Sequence, residues 1–182
     1  MPSIPEEVAA STGQVRIATG GADHRIAWLA ALAITIHIAE GALPSPLPGI
    51  KPGLANVVTI AVLVQYGWSQ AAWVSLLRVL IGSLLLGTFL SPTFLLSASG
   101  AAASISMLGL ASRLPGLGPV GYSVLAAMAH MAGQFTVAYF LFIRHPALLH
   151  LLPVLMTAAL IFGMVSGIIA LMMLNGLRTA HS

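Results

Sequence analysis

The sequence predicts an all-α integral membrane protein, a bundle of about six transmembrane helices. Three observations carry that expectation. Hydrophobic residues make up 58% of the 182-residue chain and charged residues only 6%, whereas soluble domains carry about 25% charged residues. Seven Lys or Arg and four Asp or Glu cannot cover a soluble surface, and a lipid-facing surface needs none. Six apolar runs also follow one another between Ile26 and Leu174, most of them near the length of about 20 residues that a spanning helix needs. Short connections between them leave room for one bundle, with residues 1–25 as a polar tail, 26–176 as the membrane domain and 177–182 as a short tail.

Met1 to Asp23 is polar and lacks the basic start and apolar run of a signal peptide; it reads as a cytoplasmic tail. The first span is expected from Ile26 to Leu43. Between Pro44 and Gly53 four prolines exclude a regular helix. A loop this long, in a bundle with short connections, suits a lid or a binding segment. The second span, Leu54 to about Tyr66, is too short to cross a membrane unaided and is expected to start below its surface. The third runs from Ser69 to Leu90. Ser91-Pro92 opens the fourth, which ends near Ser112, since proline is tolerated in a first helical turn. Val120 to Ile143 forms the fifth, and Leu148 to Leu174 the sixth.

Basic residues flanking the spans give orientation. Arg16, Arg25, Arg113 and Arg178 fall on the side of the termini, Lys51 and Arg144 on the other. Four against two places both termini in the cytoplasm, at a bacterial inner membrane, and the Pro-rich loop outside. The basic residues are scattered singly, so the net charge of +3 does not point to nucleic acid. With no cysteine, the chain supplies no disulfide and no Cys-ligated zinc or iron–sulfur site.

Arg78 is the least expected residue. It lies near mid-depth in the third span, where a charge costs from about 2.5 kcal/mol upward and must face the interior or a water-filled cavity. It reads as an anion ligand or a gate, or alternatively as a structural ion pair. His37 and Glu40 share a face at the end of the first span, and His130 and Gln134 share one on the fifth. Each pair reads either as cavity lining or as ordinary interfacial and interhelical bonding. Asn56 stands at the start of the second span, as a ligand contact or a helix cap. Thr88, Ser91 and Thr93 surround the turn between spans three and four, where hydroxyls either bind a ligand or satisfy the backbone.

Arg78, Glu40, Asn56, His130 and Gln134 are expected to converge beneath the Pro-rich loop, with Lys51 above them. An anionic or zwitterionic ligand would meet Lys51 first and Arg78 deeper. No catalytic residue and no metal ligand is assigned. His37 and His130 are single donors on separate helices. Asp23, the only aspartate, lies in the tail. Chemistry on a prenyl diphosphate usually needs clustered carboxylates to hold magnesium, so the chain reads as non-enzymatic rather than enzymatic, and no cofactor is specified. No Gly-x-x-x-x-Gly-Lys loop is present. Small residues four apart occur at Ala27 and Ala31 and at Gly163 and Gly167; such pairs let helices approach closely and read chiefly as intramolecular packing.

Three ordered segments carry a family resemblance: Pro48 to Ile60 (PGIKPGLANVVTI), Leu76 to Phe89 (LLRVLIGSLLLGTF) followed by Ser91-Pro92-Thr93-Phe94, and Ala129 to Gln134 (AHMAGQ). Together the chain resembles the Gx transporter family, often labelled heptaprenyl diphosphate synthase component I, over roughly Ile26 to Leu174. That family is grouped with the S components of energy-coupling-factor transporters. The resemblance implies a six-helix membrane fold, an outward ligand pocket, and a loop after the first helix acting as a lid. It also implies a partner interface through small residues of the first helix, which Ala27 and Ala31 supply. The implied partners are the lipid bilayer, a small-molecule ligand, and a transmembrane coupling protein with its ATPases. Relatives have also been associated with flavin-linked electron transfer. The resulting function is a ligand-binding transport subunit energised by other chains. The alternatives are a non-catalytic accessory subunit of heptaprenyl diphosphate or menaquinone synthesis, and a membrane subunit of a flavin or quinone redox complex.

Overall fold

The computed structural model describes residues 21–42 and 54–179. Six α-helices follow one another: α1 (Gly21–Ala42), α2 (Leu54–Tyr66), α3 (Trp68–Leu85), α4 (Pro92–Ala111), α5 (Pro119–Val137) and α6 (Leu152–Thr179). A π-helical turn, Ala138–Phe142, extends α5, and a 3-10 helix, Pro146–Leu151, leads into α6. No strand occurs among the described residues. The all-α bundle is as expected. Four segments, 68–85, 92–111, 119–142 and 146–176, are long and apolar enough to cross a membrane, while the apolar stretches of α1 and α2 are shorter.

Helix ends depart from expectation where local chemistry overrides hydropathy. α1 begins at Gly21, so Asp23 is helical and not part of a tail. α3 stops at Leu85 instead of continuing to Leu90. Gly87 adopts a left-handed conformation (φ 66°), Thr88 N–H bonds Ser83 O, and Gly87 N–H bonds Leu84 O. This is a Schellman stop, in which a left-handed glycine lets the last carbonyls be satisfied. Ser91 then caps α4, its hydroxyl accepting from the Phe94 N–H, with Pro92 in the first turn.

α2 is the centre of the bundle. It packs against α1, α3, α5 and α6, and every residue from Val57 to Leu63 is buried. At 13 residues and about 1.5 Å per residue it is too short to span a bilayer core of about 30 Å. A helix shielded on all sides has no need to match that thickness.

Glycines set the spacing of the other helices. A Cβ on Gly167 would lie 2.6 Å from Val120 Cα, and one on Gly163 3.0 Å from Val124 Cα. The Gly163/Gly167 pair is therefore the seam between α6 and α5, within one chain. A Cβ on Gly133 of α5 would lie 2.7 Å from the Ser99 carbonyl of α4. Large apolar side chains remain exposed around the outside, among them Trp28, Leu84, Leu85, Phe140, Ile161 and Met172. That surface suits lipid and not water.

Candidate functional site

α1 and α3 end, and α4 begins, at the same end of the bundle. A cleft of about 200 Å³ opens there, lined by His37 of α1, Val79, Ser83 and Leu86 at the end of α3, Thr88, and Thr93, Phe94 and Ser97 of α4.

Two histidines stand on bare backbone beside this cleft. The His37 ring rests on Gly82, where a Cβ would lie 2.9 Å from His37 Cδ2. The His130 ring rests on Gly100, where a Cβ would lie 2.8 Å from Cε1 and Nε2. Gln134, one turn along α5, touches the same glycine, its Cγ also 2.8 Å from that position. Arg78 is buried on α3, one turn below Gly82. Both Arg78 and His37 lie within electrostatic range of the His130 ring. The structure thus sets His130 and Gln134 on Gly100 of α4, and His37 on Gly82 of α3, one turn from Arg78.

Of the expected set, His130 and Gln134 both touch Gly100, and Arg78 is buried on α3. Asn56 is half-buried in the first turn of α2, inside the helix and not at its cap position, and it does not line the cleft. Lys51 and the side chain of Glu40 lie outside the described residues. Thr88 and Thr93 do line the cleft, whereas Ser91 is taken up by capping. Ala27 and Ala31 are exposed on α1, flanking the even more exposed Trp28.

Sequence reasoning missed Ser83, Phe94 and Ser97 of the cleft, and the seats at Gly82 and Gly100. A signal for the α4 wall existed. Thr93, Ser97, Gly100 and Ser104 recur at the spacing of one helical face, running from the cleft to the buried interior.

A helical bundle with four segments long and apolar enough to cross a membrane is the architecture of a helical membrane protein. The chain belongs to the family described as heptaprenyl diphosphate synthase component I, whose sequence model matches residues 29–173. Comparison with curated proteins and with solved structures gave no match.

Proposed function

We propose that the protein is the ligand-binding subunit of a membrane transport system, S-component-like, with energy supplied by other chains. The observation that supports it is a polar group, buried Arg78 with half-buried His37, His130 and Gln134, next to a cleft that His37 itself lines. Burying Arg78 in a membrane helix is costly unless it serves an interior function or pairing. The reading includes cytoplasmic termini in a bacterial inner membrane, a role for Glu40, Lys51 and Asn56 at the mouth of the site, and docking of a coupling protein on the α1 face of Ala27 and Ala31. That face is exposed, and its small residues allow close helix approach.

A second reading is favoured by the family's description: a non-catalytic accessory subunit of prenyl diphosphate synthesis. Purification from native membranes separates the two. Co-purification of ATPases with a membrane coupling protein is expected. Stable recovery with a soluble prenyltransferase, and without ATPases, would replace the transport reading with the accessory one.

A further inference from the structure

We propose that the α1–α3–α4 cleft receives a compact anion, with Thr93 and Ser97 donating hydrogen bonds to its oxygens and Arg78 supplying the attracting charge. This deepens the binding-subunit reading and rests on it.

Thr93 and Ser97 set two hydroxyls of α4 on the cleft. Elsewhere some helical Ser and Thr side chains bond back to their own helix, while others, Thr59 and Ser123 among them, do not. Thr35 donates to Ala31 O, Ser99 to Leu96 O, Ser106 to Ala102 O, Thr136 to Ala132 O and Thr157 to Pro153 O. Ser83, on the opposite wall, donates to Leu80 O. Ser97 makes no such bond among the described residues, and Thr93, in the first turn of α4, has no helix carbonyl behind it; both line the cleft. A hydroxyl without a carbonyl partner is open to another one. Two of them, one turn apart, present a pair of donors to the same space.

Charge follows the same wall inward. Ser97 and Gly100 lie on one face of α4, and Gly100 carries the His130 ring, which is within electrostatic range of Arg78. His37 belongs to both places: it lines the cleft and lies within electrostatic range of His130. The N-terminus of α4, at Pro92, also points its positive end toward this corner. At the C-terminal end of α3, the helical bond from Leu86 and the Schellman bonds from Gly87 and Thr88 take up the carbonyls of Gly82, Leu84 and Ser83. Hydroxyl donors on the cleft, with the Arg78 charge one turn below Gly82, favour a negatively charged, oxygen-bearing guest.

Size narrows the class. A volume of about 200 Å³ falls below the range of about 300–1,000 Å³ typical of pockets for drug-sized ligands. That favours a small guest over a drug-sized one.

The absence of cysteine allows a direct test on the full chain in membranes. Ser97→Cys is reacted with a sulfonate-bearing and with a trimethylammonium-bearing ethyl methanethiosulfonate, in intact cells and in inverted vesicles. His150→Cys, at an exposed position of the 3-10 helix, gives the reference ratio of the two rates. The sulfonate preference at Ser97→Cys is expected to exceed the reference about 10-fold, the low end of electrostatic focusing in clefts. Adding Arg78→Gln should return it to the reference, and Arg78→Lys should retain it. In 1 M salt, where screening acts over about 3 Å, the preference should shrink in the chain carrying Ser97→Cys alone, a readout independent of how the Arg78 variants fold. No reaction from either side, or a ratio equal to the reference, overturns the anion site. Anion-selective labelling in a protein that never co-purifies with ATPases would instead sink the transport reading and leave the anion site standing.

Discussion

The His37 ring lies flat enough against α3 that a Cβ on Gly82 would sit 2.9 Å from its Cδ2. One glycine therefore helps set the position of a half-buried side chain that lines the cleft one turn from buried Arg78. Gly82→Ala should be well tolerated by the helix, because alanine is favoured over glycine by about 1 kcal/mol in a helix interior. The clash falls on a side chain that can swing away. The expected outcome is a protein of unchanged melting temperature that retains less small-molecule ligand by mass spectrometry. Equal retention would show that the seat of His37 is irrelevant to binding.

At Gly167 the obstacle is backbone, 2.6 Å from a built Cβ at Val120 Cα, and it cannot step aside. Gly167→Ala should push α6 off α5 and cost about 1–3 kcal/mol, the usual penalty of overpacking. Gly176, on the same helix, has nothing within 4 Å of its built Cβ, so Gly176→Ala should be neutral or stabilising. Thermal unfolding of the two variants in detergent measures the contrast; similar melting points would contradict the α5–α6 seam.

Arg78 is 7% exposed, and its role divides from its structural cost in a substitution series. Arg78→Ala should lower retained ligand by roughly 10–100-fold, the equivalent of losing one charge-assisted bond of about 1.5–3 kcal/mol. Membrane insertion should fall far less. Arg78→Lys should restore part of the binding, because the ammonium keeps the charge but not the planar fork. Full binding by Arg78→Ala would leave Arg78 a packing residue.

Thr59 of α2 and Ser123 of α5 are 1% and 0% exposed, and their hydroxyls have no hydrogen-bond partner among protein atoms. Removing an unsatisfied buried hydroxyl removes a desolvation penalty of about 1–3 kcal/mol. Thr59→Val and Ser123→Ala are expected to hold or raise the melting temperature. A drop in either would show that an internal water or an unseen partner satisfies that hydroxyl.

Sidedness is open to the same chemistry used for the cleft. Ser45→Cys, in the Pro-rich segment outside the described residues, should react with an impermeant thiol reagent in intact cells. Labelling only after lysis would reverse the orientation inferred from Arg16, Arg25, Arg113 and Arg178 against Lys51 and Arg144.

Scarcity of charge and the six apolar runs were sufficient, in the sequence alone, to determine a helical membrane bundle and the start of α4 at Ser91-Pro92, because bilayer insertion and proline geometry act locally. They also singled out Arg78, whose cost in lipid is independent of its neighbours. Only the tertiary structure decided that α2 is short because α1, α3, α5 and α6 surround it. The same is true of the Gly163/Gly167 pair, which packs within the chain, and of the seats that Gly82 and Gly100 provide for His37 and His130. Asn56 shows the limit most plainly: its polarity was visible, but whether it shares a cavity with Arg78 depends on how α2 is rotated against four neighbours. The physical reason is that periodicity reports which residues share a face of one helix, whereas a site is made where faces of different helices meet, and that depends on backbone approach distances and rotations that hydropathy does not encode.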